Sequence, residues 1–96
     1  MNRVEVVNLL LGVLVTIQQN SGRTAILIHE NTYPIGDLDG FDSLNGVEAT
    51  VELIHRLGIE ISGASVFVNE FGTKALSVSE VAERLSAALA IKDHPA

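Results

Sequence analysis

Residues 6–15 form an apolar block of Val6, Val7, Leu9, Leu10, Leu11, Val13, Leu14 and Val15, broken only by Asn8 and Gly12. In a chain of 96 residues, which is the length of one ordinary domain, the block has to wall the single core. Two other destinations are disfavoured. Arg3 ahead of it resembles the charged start of a signal peptide, but Glu5 heads the run and no Ala-x-Ala-like cleavage site follows. A membrane span needs about 20 apolar residues, and this run is shorter. The expectation is a helix over residues 3–17, buried on most of its circumference, in a cytoplasmic protein without membrane insertion. Its many valines also suit a strand. Gln18, Gln19, Asn20, Ser21 and Gly22 end it.

The next clear period lies over Ser43–Leu57. At 100° per residue, Leu44, Val47, Val51, Ile54 and Leu57 share one side, while Asn45, Glu48, Glu52, His55 and Arg56 share the other. Asp42 or Ser43 offers a capping oxygen, and Gly58 stands where a helix-ending glycine belongs. A last helix opens on Ser77 and Glu80, a pair with capping-box spacing, and turns Val78, Val81, Ala82, Leu85, Ala88 and Leu89 inward. Between these elements the periods are weaker. Ala25, Ile26, Leu27 and Ile28 fit a short strand or an apolar loop. Asn31, Pro34, Gly36 and Gly40 punctuate a long turn-rich connection, which Tyr33, Ile35, Leu38 and Phe41 pin to the core. Residues 62–72 fit a short helix with Phe67 and Phe71 four apart, or an extended segment. The expected fold is all-α: three long helices and one short, with a long loop between the first two, in one domain over 1–96 whose ends, 1–2 and 91–96, are loose.

Composition narrows the chemistry. Hydrophobic residues make up 47% and aromatics only 4%, so Leu, Val, Ile and Ala build the core. Twelve acidic against six basic residues give a net charge of −6, which a nucleic-acid backbone would repel. There is no cysteine, so any thioester chemistry needs a sulfur from a prosthetic group. His29, His55 and His94 have no metal-gripping spacing, and no metal is expected. Asp37, Asp39, Gly40 and Asp42 resemble a calcium loop, but that loop has glycine at its sixth place, where this chain has Asp42. Around Ser43 the glycines of a hydrolase elbow are missing.

The segment Gly40-Phe41-Asp42-Ser43-Leu44 stands at a helix start, where a serine is exposed and faces the positive end of the helix dipole. It resembles the attachment site of the acyl carrier protein family, in which the serine of an Asp-Ser-Leu tripeptide carries 4′-phosphopantetheine. Asp37-Leu38 before it, Val47-Glu48 after it, the helix exit over 57–62 and the closing helix fall where that family has them. The resemblance covers residues 37–62 well, 76–89 fairly, and the first helix only in kind. It implies a non-catalytic carrier, a monomer, with the covalent cofactor on Ser43 flanked by Asp42 and Leu44. It also implies docking of a phosphopantetheinyl transferase and of acyl-loading and acyl-processing enzymes on Asn45, Glu48, Glu52, His55 and Arg56.

Three departures point to a carrier dedicated to one fatty-acid-like or polyketide-like pathway. Asp39 is one residue extra, residues 66–75 are longer than in compact fatty-acid carriers, and His55 and Arg56 stand where those carriers stay acidic. A peptidyl or aminoacyl carrier is an alternative, although those often have histidine before the serine. A helical interaction module without a prosthetic group, in which Ser43 is only a cap, is the other.

Overall fold

A computed structural model describes residues 1–23 and 27–93, which form four helices: α1 (Arg3–Asn20), α2 (Pro34–Asp37), α3 (Ser43–Leu57) and α4 (Val78–Asp93). Among the described residues there is no strand, only an isolated bridge between Val68 and Ala75. The fold is therefore all-helical. Its radius of gyration is 12.6 Å, close to the roughly 12.5 Å of one compact domain of this length. None of the described helices is long and apolar enough to cross a membrane.

The apolar block becomes the middle of α1, which lies between α3 and α4 and packs on both. Val6, Val7, Leu10, Val13 and Leu14 join Val78, Val81, Ala82, Leu85 and Leu89 of α4 in one buried cluster. Asn2 and Glu5 close a capping box, each side chain accepting the other's backbone N–H at 2.9 Å. Asn2, in the stretch expected to be loose, thus serves as the N-cap of α1. At the other end α4 stays helical through Asp93, so residues 91–93 depart from the expected tail; residues 94–96, with His94, lie outside the described residues.

α3 has the expected bounds but a different inner face. Gly46, Ala49, Thr50, Leu53 and Leu57 are buried, whereas Leu44 is 72% and Val51 61% exposed. The buried arc is turned about a quarter of a circle from the one that hydrophobicity selects. The cause is close approach. A Cβ at Gly46 would stand 3.1 Å from Ser65 Oγ, so only a small residue admits the segment that crosses there. Thr50 fixes the same segment: its Oγ1 donates to Gly46 O at 2.7 Å and accepts the Val66 N–H at 3.0 Å.

Residues 62–72 form no helix. The chain reverses over 69–74 instead: the Asn69 N–H donates to Lys74 O at 2.9 Å, and Gly72, at φ +69°, makes the corner. Phe67 is consequently at the centre of the core while Phe71 is 83% exposed. Nor is α2, inside the long connection, a regular turn of helix: Ile35 (ψ 108°) and Gly36 (φ +120°) leave helical geometry, and the segment is a turn closed by the Leu38 N–H on Pro34 O. Arg84 of α4 holds the 62–68 segment by donating to Val68 O at 2.7 Å, Ser62 O at 3.2 Å and Val66 O at 3.3 Å. These carbonyls have no ladder partners, so the guanidinium replaces a sheet neighbour. The long connection is ordered in turn by capping: Val78 and Ser79 donate to Thr32 O and Glu30 O at 2.8 and 2.9 Å. Within it Leu27 is exposed and Ile28 half-buried, while 24–26, and so Ala25 and Ile26, lie outside the described residues.

The Ser77 capping box at α4 forms as spaced. Ser77 Oγ accepts the Glu80 N–H at 3.2 Å, and Glu80 Oε1 accepts the Ser77 N–H at 2.9 Å. The backbone hydrogen bond from Ser77, then its side chain, lower the Glu80 carboxyl below its ordinary value, with Lys74 adding a smaller attraction. A depressed carboxylate stabilises the fold above its unfolded-state pKa, and that contribution is lost as pH falls through the folded value. Glu80→Gln keeps an acceptor but not the charge. Its melting temperature should trail the wild type at neutral pH, and the gap should close on acidification below the ordinary carboxylate range. Melts from pH 7 down to pH 3 check this.

Candidate functional site

The turn leading into α3 is held on three sides. Beneath it, Phe41 is buried and meets the Phe67 ring edge-on, with centroids 5.6 Å apart and planes at 70°. Along it, Asp42 and Asn45 form a reciprocal cap: Asp42 Oδ1 accepts the Asn45 N–H at 3.1 Å and Asn45 Oδ1 accepts the Asp42 N–H at 3.3 Å. Over it runs Arg23. Its Nη1 donates to the same Asn45 Oδ1 at 3.1 Å, and its stem crosses Gly40 so closely that a Cβ there would be 2.5 Å from Nε. Gly40 also has φ +65°, so its backbone favours glycine, and a Cβ there would displace the Arg23 side chain. From below, buried Gln18 donates through Nε2 to Asp39 O at 2.8 Å.

Ser43 emerges from this frame as the first residue of α3. It is exposed, and among the described residues its hydroxyl has no hydrogen-bond partner. The turn around it is therefore fixed while its Oγ is free. Among the described residues, Glu52–Arg56 is the one ion pair, so the Arg23 guanidinium has no carboxylate partner beside the positive end of α3. A phosphodiester on Ser43 Oγ would meet a helix N-terminus whose Ser43 and Leu44 N–H groups are uncommitted among the described residues, with a guanidinium held on Asn45 two residues on. The residues present fit such a group.

The remaining candidates separate. Asp42 is at the site, committed to capping. Leu44 is beside it and exposed. Asn45 is half-buried and directed into the turn, so it leaves the outer face that the sequence assigned to it. Glu48 is exposed. Glu52 is already paired with Arg56, Nε to Oε1 at 2.6 Å, a surface pair one turn apart. Glu48, Glu52 and Arg56 line a groove of about 490 Å³ against Ile17 and Thr16 of α1. His55 is exposed near the far end of α3, about 18 Å along the helix from Ser43. No three His, Cys, Asp or Glu side chains are grouped to hold a metal among the described residues; Asp37 instead accepts the Tyr33 N–H at 2.8 Å.

Arg23 and Gln18 were not legible as site residues from hydrophobic period or motif. One signal existed: Arg23 is the only charged residue between Glu5 and Glu30. Comparison with protein-family models, with characterised proteins and with solved structures gives no match to this chain.

Proposed function

We propose that this protein is a carrier that holds acyl intermediates as thioesters on a 4′-phosphopantetheine arm attached to Ser43. The observation that carries the reading is the exposed Ser43 hydroxyl, without a hydrogen-bond partner among the described residues, on a turn that the Asp42–Asn45 cap closes around it. The Gly40-Phe41-Asp42-Ser43-Leu44 sequence gives it its chemical sense. When attached, the arm supplies the thiol that a chain without cysteine lacks. Attachment joins Ser43 Oγ to the pantetheine-bearing phosphorus of coenzyme A. The bond from that phosphorus to the nucleotide half breaks, and the hydroxyl proton passes to a base on the transferase. On this reading the transferase supplies that base. Asp42, the first-turn N–H groups and Arg23 hold the site's shape and charge. On this reading the chain has a non-catalytic role in the cytoplasm, with chemistry done by docked enzymes.

The docking face is the exposed side of α3, where Leu44 and Val51 alternate with Glu48 and Glu52. Arg56 already neutralises Glu52, so Glu48 is the acid on this face that a basic partner would answer. Glu48→Lys should raise KM for a phosphopantetheinyl transferase roughly tenfold with kcat unchanged, and the difference should shrink in salt. Equal KM values for the variant and the wild type would move docking off this face.

The direct test of the carrier reading is intact mass. Wild-type protein incubated with coenzyme A, magnesium and a broad-specificity transferase should gain one phosphopantetheinyl group. An unchanged mass favours an interaction module, whose exposed Leu44 and Val51 would then be its contact surface.

A further inference from the structure

The position of Arg23 assigns it a role that neither its sequence neighbours nor the serine motif suggests. Its own place is set by the end of α1: Gly22 takes φ +68° and the Arg23 N–H returns to Gln18 O at 2.8 Å. From there the side chain passes over Gly40 and reaches Asn45 at 3.1 Å. Asn45 is the same residue that holds the Asp42 N–H. One guanidinium therefore connects the end of α1, the turn glycine and the first turn of α3, and Ser43 lies between its two ends. A permanent cation stands by the positive end of a helix with no carboxylate partner among the described residues.

Resting on the carrier reading above, we propose that Arg23 is the positioning residue for modification of Ser43. Through Asn45 and Gly40 it holds the Asp42–Ser43 turn in the geometry that presents Oγ for phosphoryl transfer, and its charge favours that turn once the phosphodiester is in place. Positioning errors of an ångström lower rates by up to about a hundredfold.

Steady-state modification of wild type, Arg23→Ala and Arg23→Lys, read by mass, tests this alongside amide hydrogen exchange at Asn45. Arg23→Ala should lose roughly ten- to a hundredfold in kcat with little change in KM. Its Asn45 amide should exchange faster, because the relay that steadies the cap is cut. Arg23→Lys keeps the charge but not the forked donor, so it should recover only part of kcat. It also serves if the alanine variant does not fold. The Arg23→Ala, Asn45→Ala double variant should lose little beyond Asn45→Ala alone, since both act on one turn. An effect confined to KM and fully restored by Lys would make Arg23 a docking charge and overturn the proposal. So would an unchanged kcat with unchanged Asn45 exchange, leaving the carrier reading standing. If the wild type itself gains no mass, the carrier reading fails and this role fails with it.

Discussion

Ser43→Ala protein should leave a transferase and coenzyme A reaction with its mass unchanged while the wild type is converted. On the carrier reading the loss is total, because the transferase acts on the serine at this helix start. The chain has no cysteine, and the neighbouring hydroxyl-bearing side chains are engaged: Thr50 Oγ1 between Gly46 O and Val66 N–H, Ser65 Oγ with the Phe67 N–H. The substitution should scarcely alter the fold. Capping at α3 is done by Asp42 Oδ1, not by the serine hydroxyl, so the cap-loss penalty of about 1 kcal/mol does not apply. Alanine is also the best helix former, and position 43 is exposed. A melting temperature equal to the wild type together with no added mass is the expected pair of results. A modified Ser43→Ala protein would end the assignment of the attachment site.

That separation of the capping side chain from the free hydroxyl was only half legible in the sequence. Asp42 and Ser43 are both good capping residues, and spacing alone leaves them equivalent. The fold distinguishes them because Asp42 has extended backbone, φ −108° and ψ −171°, and aims Oδ1 at the Asn45 N–H. Elsewhere, signals that depend on one chain segment transferred well. Ser77 with Glu80, Gly58 after Leu57 and the apolar block of α1 form the cap, the stop and the core helix that their local chemistry dictates. Signals that depend on two segments did not. Ranking α3 by side-chain hydrophobicity selects Leu44 and Val51, yet Gly46, Ala49 and Thr50 are buried because residues 65–67 cross close to the helix backbone. No period along α3 encodes that crossing. Arg23 belongs to the same category, since its target at Asn45 is 22 positions away.

Phe67→Ala should destabilise the fold severely, and Phe71→Ala almost not at all. As an i, i+4 pair on one helix face the two would behave alike. Their burial instead divides them: Phe67 is fully buried and Phe71 83% exposed. Removing a buried phenyl ring costs about 3–5 kcal/mol, because the cavity adds to the lost transfer energy. A domain of this size has about 5–15 kcal/mol in total. At about 4–8 °C per kcal/mol, the melting temperature of Phe67→Ala should fall by at least about 12 °C. Exposed Phe71 lies at the tip of a reversal whose hydrogen bonds come from Asn69 and Gly72, so its truncation should stay within about 0.5 kcal/mol. Phe67 has a second consequence that pure stability would not predict. It supports Phe41 edge-on, and Phe41 is the buried anchor immediately before Asp42 and Ser43. Phe67→Leu, which keeps most of the volume but not the ring edge, should therefore retain most of its stability while slowing attachment at Ser43. Thermal melts paired with mass-detected modification rates separate the two effects. If Phe67→Leu is modified at the wild-type rate, the turn is held by its cap and Arg23 without help from the aromatic pair below it.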